Sequence, residues 1–303
     1  MRKLSIILLA FLFISSCEIV VDLDIPPHES LLVVNSVINS SKDSLFAYVS
    51  YSQGSFDIGS VAYLNDAVVN IYEDNVFLGA MSYQSIPQNF NEFDMSIDTL
   101  YKYFLAYSPL AESMYSLQVS HPNYPDIEAQ TYLPKAVPFS IDTVLVLEEN
   151  MEYGSNIRLQ LSFEDLEEEN FYRLRVFARK NNYYYYSEIE TSDASMFSNE
   201  GPVQSGGSTF YGRDALFDDQ LFNGEQKIIT LDSFVYSDFS SDYSLELSSI
   251  SKEYFLYLRS IDLYNNNNNF SIISGEPIQV YSNIENGLGI MGSISYNSED
   301  INY

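Results

Sequence analysis

Three glycines, Gly287, Gly289 and Gly292 in YSNIENGLGIMGS, have the G-x-G-x-x-G spacing of a loop that lays a dinucleotide pyrophosphate against a helix N-terminus. That chemistry needs a helix directly after the loop. SISYNSEDINY follows instead and alternates like a strand, so no cofactor is expected and the glycines predict tight backbone turns around a last strand. A second cluster, Glu164, Asp165, Glu167, Glu168 and Glu169, offers the hard oxygen ligands that calcium requires, but no D-x-D-x-D-G loop accompanies it. DLEEEN therefore reads as a solvated hairpin tip. His28 and His121 are the only histidines, and neither G-x-S-x-G nor H-E-x-x-H occurs, so zinc sites and histidine-dependent triads have little to draw on. Paired carboxylates for glycoside hydrolysis stay open, because separation in space decides that chemistry and 42 acidic residues supply many pairs.

Elements that would position such groups begin after a leader. MRKLSIILLAFLFISSC opens with Arg2 and Lys3 and continues with an apolar run, Leu4 to Ile14, that is too short to span a bilayer. Residues 1–16 read as a signal peptide. Ile14-Ser15-Ser16-Cys17 resembles the lipobox of bacterial lipoproteins, in which the cysteine is acylated and becomes the new N-terminus. Cys17 is the single cysteine, so it has no partner for an internal disulfide. Several acyl chains anchor durably where one does not, which predicts a membrane tether over 17–30.

The net charge of −28 disfavours nucleic acid and anionic headgroups as partners. Apolar content of 46%, with 26 Tyr and 20 Phe, is enough for a folded core. Trp is absent, so any stacking platform must come from Tyr or Phe.

The dominant period along the chain is two. LLVVNSVIN, LFAYVSYS, AVVNIYED and YSLQVSH are β-rich runs separated by turn residues, and HPNYPD is a proline-fixed turn before IEAQTYL. Pro134 and Pro138 in LPKAVPF mark a linker over 135–138. Beyond it IDTVLVLEE, NIRLQLSFED, FYRLRVFAR and YYYYSEIE form another strand series, and Asn223-Gly224 signals a type I′ hairpin. SSISKEYFLYLRSIDLY breaks the pattern with helical spacing and Ser249 or Ser251 as N-cap, followed by the polar connector Asn265 to Asn269. The expected architecture is all-β: two tandem β-sandwich domains of immunoglobulin- or transthyretin-like type, over 31–134 and 139–303, with one amphipathic helix near 250–263.

Tyr183, Tyr184, Tyr185 and Tyr186 are consecutive on a predicted strand. Alternate rings face opposite sides, so two at most can enter one core; Tyr183 to Tyr186 are the candidate partner-contact patch, and Tyr281 to Met291 is the alternative.

Taken in order, the lipobox, LLVVNSVI, AVVNIYED, YSLQVSHPNYPDIEAQTYLP, NFYRLRVFAR, DDQLFNGEQ, the helix segment and EPIQVYSNIENGLGIMG resemble a family of Bacteroidota lipoproteins catalogued as a domain of unknown function. Their genes commonly lie near TonB-dependent outer-membrane receptors. The resemblance spans essentially the whole mature chain and marks the glycines as part of a C-terminal signature. It implies an outer-membrane lipoprotein facing the cell exterior, a non-catalytic binding or accessory partner of such a receptor in nutrient uptake. Glu18, Asp22 and Asp24 resemble the acidic tags that direct such lipoproteins to the surface, and the apolar residues between Glu18 and the aspartates keep a periplasmic orientation as the alternative. The alternative is a surface polysaccharide hydrolase with an unlocated carboxylate pair.

Overall fold

The computed structural model describes residues 28–54, 63–91, 96–150, 153–180, 183–198, 201–202, 209–237, 242–268 and 279–302. In chain order the first half contributes β1 (Leu32–Asn39), β2 (Ser44–Tyr51), β3 (Val68–Glu73), β4 (Val76–Ala80), β5 (Ser82–Asn91), β6 (Ser96–Ala106), β7 (Ser113–His121) and β8 (Tyr124–Leu133). The second half begins with β9 (Phe139–Asn150), β10 (Gly154–Glu164), β11 (Phe171–Lys180), β12 (Tyr183–Ser187), β13 (Ile189–Thr191), β14 (Phe197–Ser198) and β15 (Gly201–Pro202). It continues with β16 (Phe210–Gly212), β17 (Ala215–Asp218), β18 (Gln226–Tyr236), β19 (Tyr243–Ile250), helix α1 (Lys252–Asn268) and β20 (Leu288–Asp300). The fold is all-β and sandwich-like, as the alternation predicts.

One large sheet runs β12-β11-β19-β20-β1-β2-β6-β5, with β17 added beside β11. Two smaller sheets face it. The sheet β4-β3-β7-β8 closes a core in which Val34, Ile38, Leu45 and Val49 meet Val69, Ile71, Leu117 and Val119. The sheet β16-β13-β18-β10-β9 closes a second core, where Tyr172, Leu174, Val176 and Leu245 meet Leu159, Leu161, Ile229 and Leu231. Each such side chain contributes about 1.5–3 kcal/mol on burial, so the alternation that buries them sets the register. The first core runs to Leu133 and takes back Ile284 and Met291 from the C-terminal segment, and the second begins at Val137, so Pro134 and Pro138 bracket the chain's first passage between them.

β20 joins the two cores. Leu288 to Ile294 pairs in parallel with β1, and Ile294 to Asp300 pairs antiparallel with β19. Here the three glycines find their reason, Gly287 because a Cβ there would lie 2.9 Å from the Leu32 carbonyl oxygen. Gly289 sits at φ 109°, and a Cβ there would lie 2.0 Å from the Val34 carbonyl oxygen. A Cβ at Gly292 would lie 2.7 Å from the Tyr254 Cβ, so this glycine lets α1 close onto the sheet. The spacing serves strand and helix packing, with no helix following the loop to receive a phosphate.

α1 begins at Ser251, whose hydroxyl accepts a hydrogen bond from the Tyr254 N–H at 3.3 Å, and its Phe255 packs on Phe171, Ile250 and Ile294. The helix runs to Asn268, past the expected end near 263, because no glycine or proline stands before Gly275 to stop it.

Two turn expectations are corrected. Asn223-Gly224 is not a type I′ hairpin: β17 and β18 belong to different sheets, and only Gly224 takes positive φ, at 72°, in a turn closed by the Glu225 N–H on the Phe222 carbonyl. The two-residue type I′ connection is at Asp74 (φ 47°) and Asn75 (φ 66°), between the paired Glu73 and Val76. DLEEEN is likewise no hairpin tip. It carries the chain from β10 in one sheet to β11 in the other, and Asp165 turns inward.

Candidate functional site

Tyr183 to Tyr186 occupy β12, which pairs with β11 from Lys180↔Tyr183 to Val176↔Ser187 and ends the large sheet. Their exposures are 56, 51, 46 and 37%. None of the four enters a core, whereas the alternation allowed two. An end strand has a neighbour on one side alone, and burial resumes only at Ser187 and Ile189 where the chain crosses to the other sheet.

Tyr184 and Tyr186 lie over the outer face of the large sheet. Their rings stack at 6.5 Å, flank Phe177 at 5.5 and 6.1 Å, and are met by the Arg179 and Arg175 guanidinium carbons at 5.9 and 4.6 Å. Register explains the set. Arg173, Arg175, Phe177 and Arg179 alternate outward from β11 while Leu174, Val176 and Ala178 are fully buried. Ser244 and Glu246 stand opposite Phe177 and Arg175 on β19, and Ser298 and Asp300 continue the rows on β20. Small serines on the two central strands lower the floor, and the taller tyrosines and arginines raise one wall. The result is a groove of about 820 Å³ whose far side includes Lys42 and Tyr296. α1 covers a further part of the large sheet at Phe171, Ile250 and Ile294.

Glu246 is the electrostatic centre. It is 2.8 Å from the Arg175 Nη2 and 3.6 Å from the Arg173 Nη2, and it accepts from the Ser248 hydroxyl at 2.9 Å. Burial works to lower the Arg175 pKa, but Glu246, followed by Tyr186 and Asp214, outweighs it, and the guanidinium is held above its usual value. Arg179 and Lys42 have no carboxylate within ion-pair distance among the described residues, although the chain is strongly acidic. The groove therefore offers aromatic edges, guanidinium and ammonium donors, and carboxylate acceptors. These are the groups of a recognition surface.

Sequence reading singled out the tyrosines but not Arg175, Phe177, Arg179 or Lys42. The signal was present in RLRVFAR, where period two places Arg173, Arg175, Phe177 and Arg179 on one side. Its link to Lys42 was not, because that residue arrives from the β1–β2 turn through the β20 junction. Cys17 lies outside the described residues.

The acidic loop has a structural role. The Asp165 carboxylate accepts from the Tyr172 hydroxyl and, at 2.9 Å, from the Gly224 N–H, fastening the sheet crossing to the turn at 222–225. Burial raises the Asp165 pKa, and these hydrogen bonds pull it back only in part; burial likewise raises Asp218 and Asp219. Among the described residues no group of three His, Cys, Asp or Glu has the spacing of a metal site. His121 is held by Asp66 at 3.0 Å and His28 by Ser52 at 2.9 Å.

The sequence from residue 18 to residue 300 matches the family described as Domain of unknown function (DUF4249). The chain belongs to that family. The match covers both cores, the β20 junction and every groove residue, so the DUF4249 unit is the whole sandwich assembly and not one half of it. No curated protein matches the chain in sequence. Among solved structures, a Corynebacterium diphtheriae protein described as membrane anchored is similar at 8% identity over 75% of this chain. The chain spans 55% of that protein, and the TM-score of 0.21 carries no argument about the DUF4249 fold or role. Among the described residues no helix is long and apolar enough to cross a membrane.

Proposed function

We propose that this protein is a lipoprotein of the outer membrane, anchored through Cys17 and facing the cell exterior, that acts as a non-catalytic binding or accessory partner of a TonB-dependent receptor in nutrient uptake. The observation that carries the binding role is the end strand β12, with all four tyrosines exposed beside a groove in which Arg179 and Lys42 meet no carboxylate at ion-pair distance among the described residues. Tyrosines present large contact area with few rotatable bonds, and their placement at a sheet end leaves room for a partner. The lipobox supports the anchor, and the acidic residues after Cys17 support export to the surface.

Two measurements test this reading. Cys17→Ser should move the protein from the membrane fraction to the soluble fraction after a salt wash. Retention in the membrane would refute the lipid anchor. Detergent-solubilised outer membrane should yield a co-purified receptor with the wild-type chain, and Tyr184→Ser combined with Tyr186→Ser should reduce its recovery. Recovery of the protein alone, under conditions that preserve other receptor complexes, would refute the accessory role.

A further inference from the structure

A second concavity lies on the sheet β4-β3-β7-β8, away from β12. Ile71, Leu117 and Ala129 point into the first core, so their neighbours Asn70 and Tyr72 on β3, Gln118 on β7, and Glu128 and Gln130 on β8 face outward. Two adjoining depressions of about 490 and 340 Å³ share Gln118, Glu128 and Glu285 and so form one trough. Ser116 and Ser120 on the middle strand keep its floor low. Residues 283–286 raise the far wall. Glu285 N–H donates to the Glu128 carbonyl at 2.9 Å, while Asn283 binds the Gln130 and Met291 carbonyls at 3.1 and 2.8 Å.

The polar groups are oriented before any ligand arrives. The Tyr72 hydroxyl donates to the Gln118 Oε1 at 3.0 Å, and the Gln118 Nε2 donates to the Glu128 Oε1, a chain that crosses three strands. It leaves the second Gln118 N–H and the other Glu128 oxygen as a fixed donor and acceptor pair. Asn70, Gln130 and Glu285 make no side-chain hydrogen bond to the described residues, so their groups are also open to the trough. At one end Tyr72 packs against Phe77 at 5.3 Å, and Phe77 is 55% exposed.

The lining discriminates between ligand classes. Among the described residues it contains no Lys, Arg or His, so an anion would meet carboxylates with none of these cations to neutralise it. The acids fall short of a metal site, as stated above. What remains is a row of planar amides and carboxylates, each offering paired hydrogen-bonding atoms, beside an exposed aromatic face. Neighbouring hydroxyls on a sugar ring donate and accept at that spacing, and the ring's C–H face packs on an aromatic.

We infer that the trough built by Tyr72, Gln118, Glu128, Gln130 and Glu285 binds a short neutral oligosaccharide. The site is separate from β12 and its groove, and it needs neither the receptor nor the anchor.

The test is calorimetric titration of the full mature chain with neutral hexasaccharides of glucose, xylose and mannose, with oligogalacturonate and hexalysine as charged probes. At least one neutral hexasaccharide should bind. Gln118→Ala, which removes the centre of the polar chain, should weaken that binding by about tenfold or more. Ser116→Trp fills the floor without removing an internal hydrogen bond and should do the same, which keeps the test decisive if Gln118→Ala fails to fold. Tyr184→Ser should leave saccharide binding unchanged. Absence of binding by all three neutral sugars, tighter binding of either charged probe, or full binding by the Ser116→Trp variant would overturn the inference. Receptor recovery is read separately, so a failure here leaves the accessory role standing and the converse also holds.

Discussion

The groove beside β12 and the trough over β7 are built by one device and differ in chemistry. Both lie on the outer face of a sheet, and in both, small serines on central strands, Ser244 and Ser298 or Ser116 and Ser120, create the depth. Around the groove the flanking strands supply Arg175, Arg179 and tyrosines, with Glu246 holding Arg175 and the adjoining Arg173. Around the trough they supply amides and carboxylates and no cation. Shape at each site therefore follows from the small serines, while selectivity follows from the longer polar side chains around them, Gln118 and Glu246 on the same middle strands included. Support is shared: β20 contributes Tyr296, Ser298 and Asp300 to the groove, and its Met291 holds the Asn283 that braces the trough.

The largest effect should come from breaking that shared support. Gly289→Ala places a side chain at φ 109° and against the Val34 carbonyl, and it should cost about 3 kcal/mol or more. Urea unfolding measures it, and both sites should be damaged together. A variant within about 0.5 kcal/mol of wild type would show that β20 is not the common brace.

Asp165→Ala separates the regions. It leaves the buried Tyr172 hydroxyl and the Gly224 N–H without their acceptor, an expected cost of about 2–3 kcal/mol. The loss falls on the second core, so sugar binding at the trough should survive at temperatures where the variant is folded. Loss of both at once in a folded variant would show that the two halves are more tightly coupled than the core contacts indicate.

A smaller effect concerns pH. The Asp165 carboxyl is raised in the folded chain, so above the ordinary carboxylate value of about 4 the folded state still holds a proton that the unfolded state has released. Its contribution to stability therefore declines as pH rises through that window and levels off above the folded value. Asp218 and Asp219 act in the same sense. Thermal unfolding between about pH 4 and pH 7 should show the decline, and Asp165→Asn should flatten part of it. An unchanged slope in that variant would assign the effect to the other acids.

The smallest stability change belongs to the tyrosines. Tyr184→Ser with Tyr186→Ser should alter stability by about 1 kcal/mol or less, the scale of exposed cation–π contacts, while changing partner recovery. A large loss of Tm would show that their contacts with Phe177 hold the sheet end in place.

Local pattern was enough to read the strands around Leu32–Asn39, Ser44–Tyr51, Val68–Glu73 and Phe171–Lys180, because burial on one face imposes period two on the residues themselves. It was also enough for α1, where Ile250, Tyr254, Tyr257, Leu258 and Ile261 recur at helical spacing and Ser251 stands at the cap, although the helix residue buried most fully is Phe255. The same local signals misled at Asn223-Gly224 and at DLEEEN, since whether a turn returns within a sheet or crosses to another depends on the partner strand and not on the turn. Asp74-Asn75 carried the correct hairpin signal in two residues that sequence reading passed over. The glycines, the groove and the trough were decided only by tertiary structure. Each depends on β20 or residues just before it returning to earlier elements, beside Val34 on β1, against Tyr254 on α1 and across Glu128 on β8. Composition records which side chains are available, but pairing between distant strands determines which of them share a face, and that is set by the burial of both cores at once.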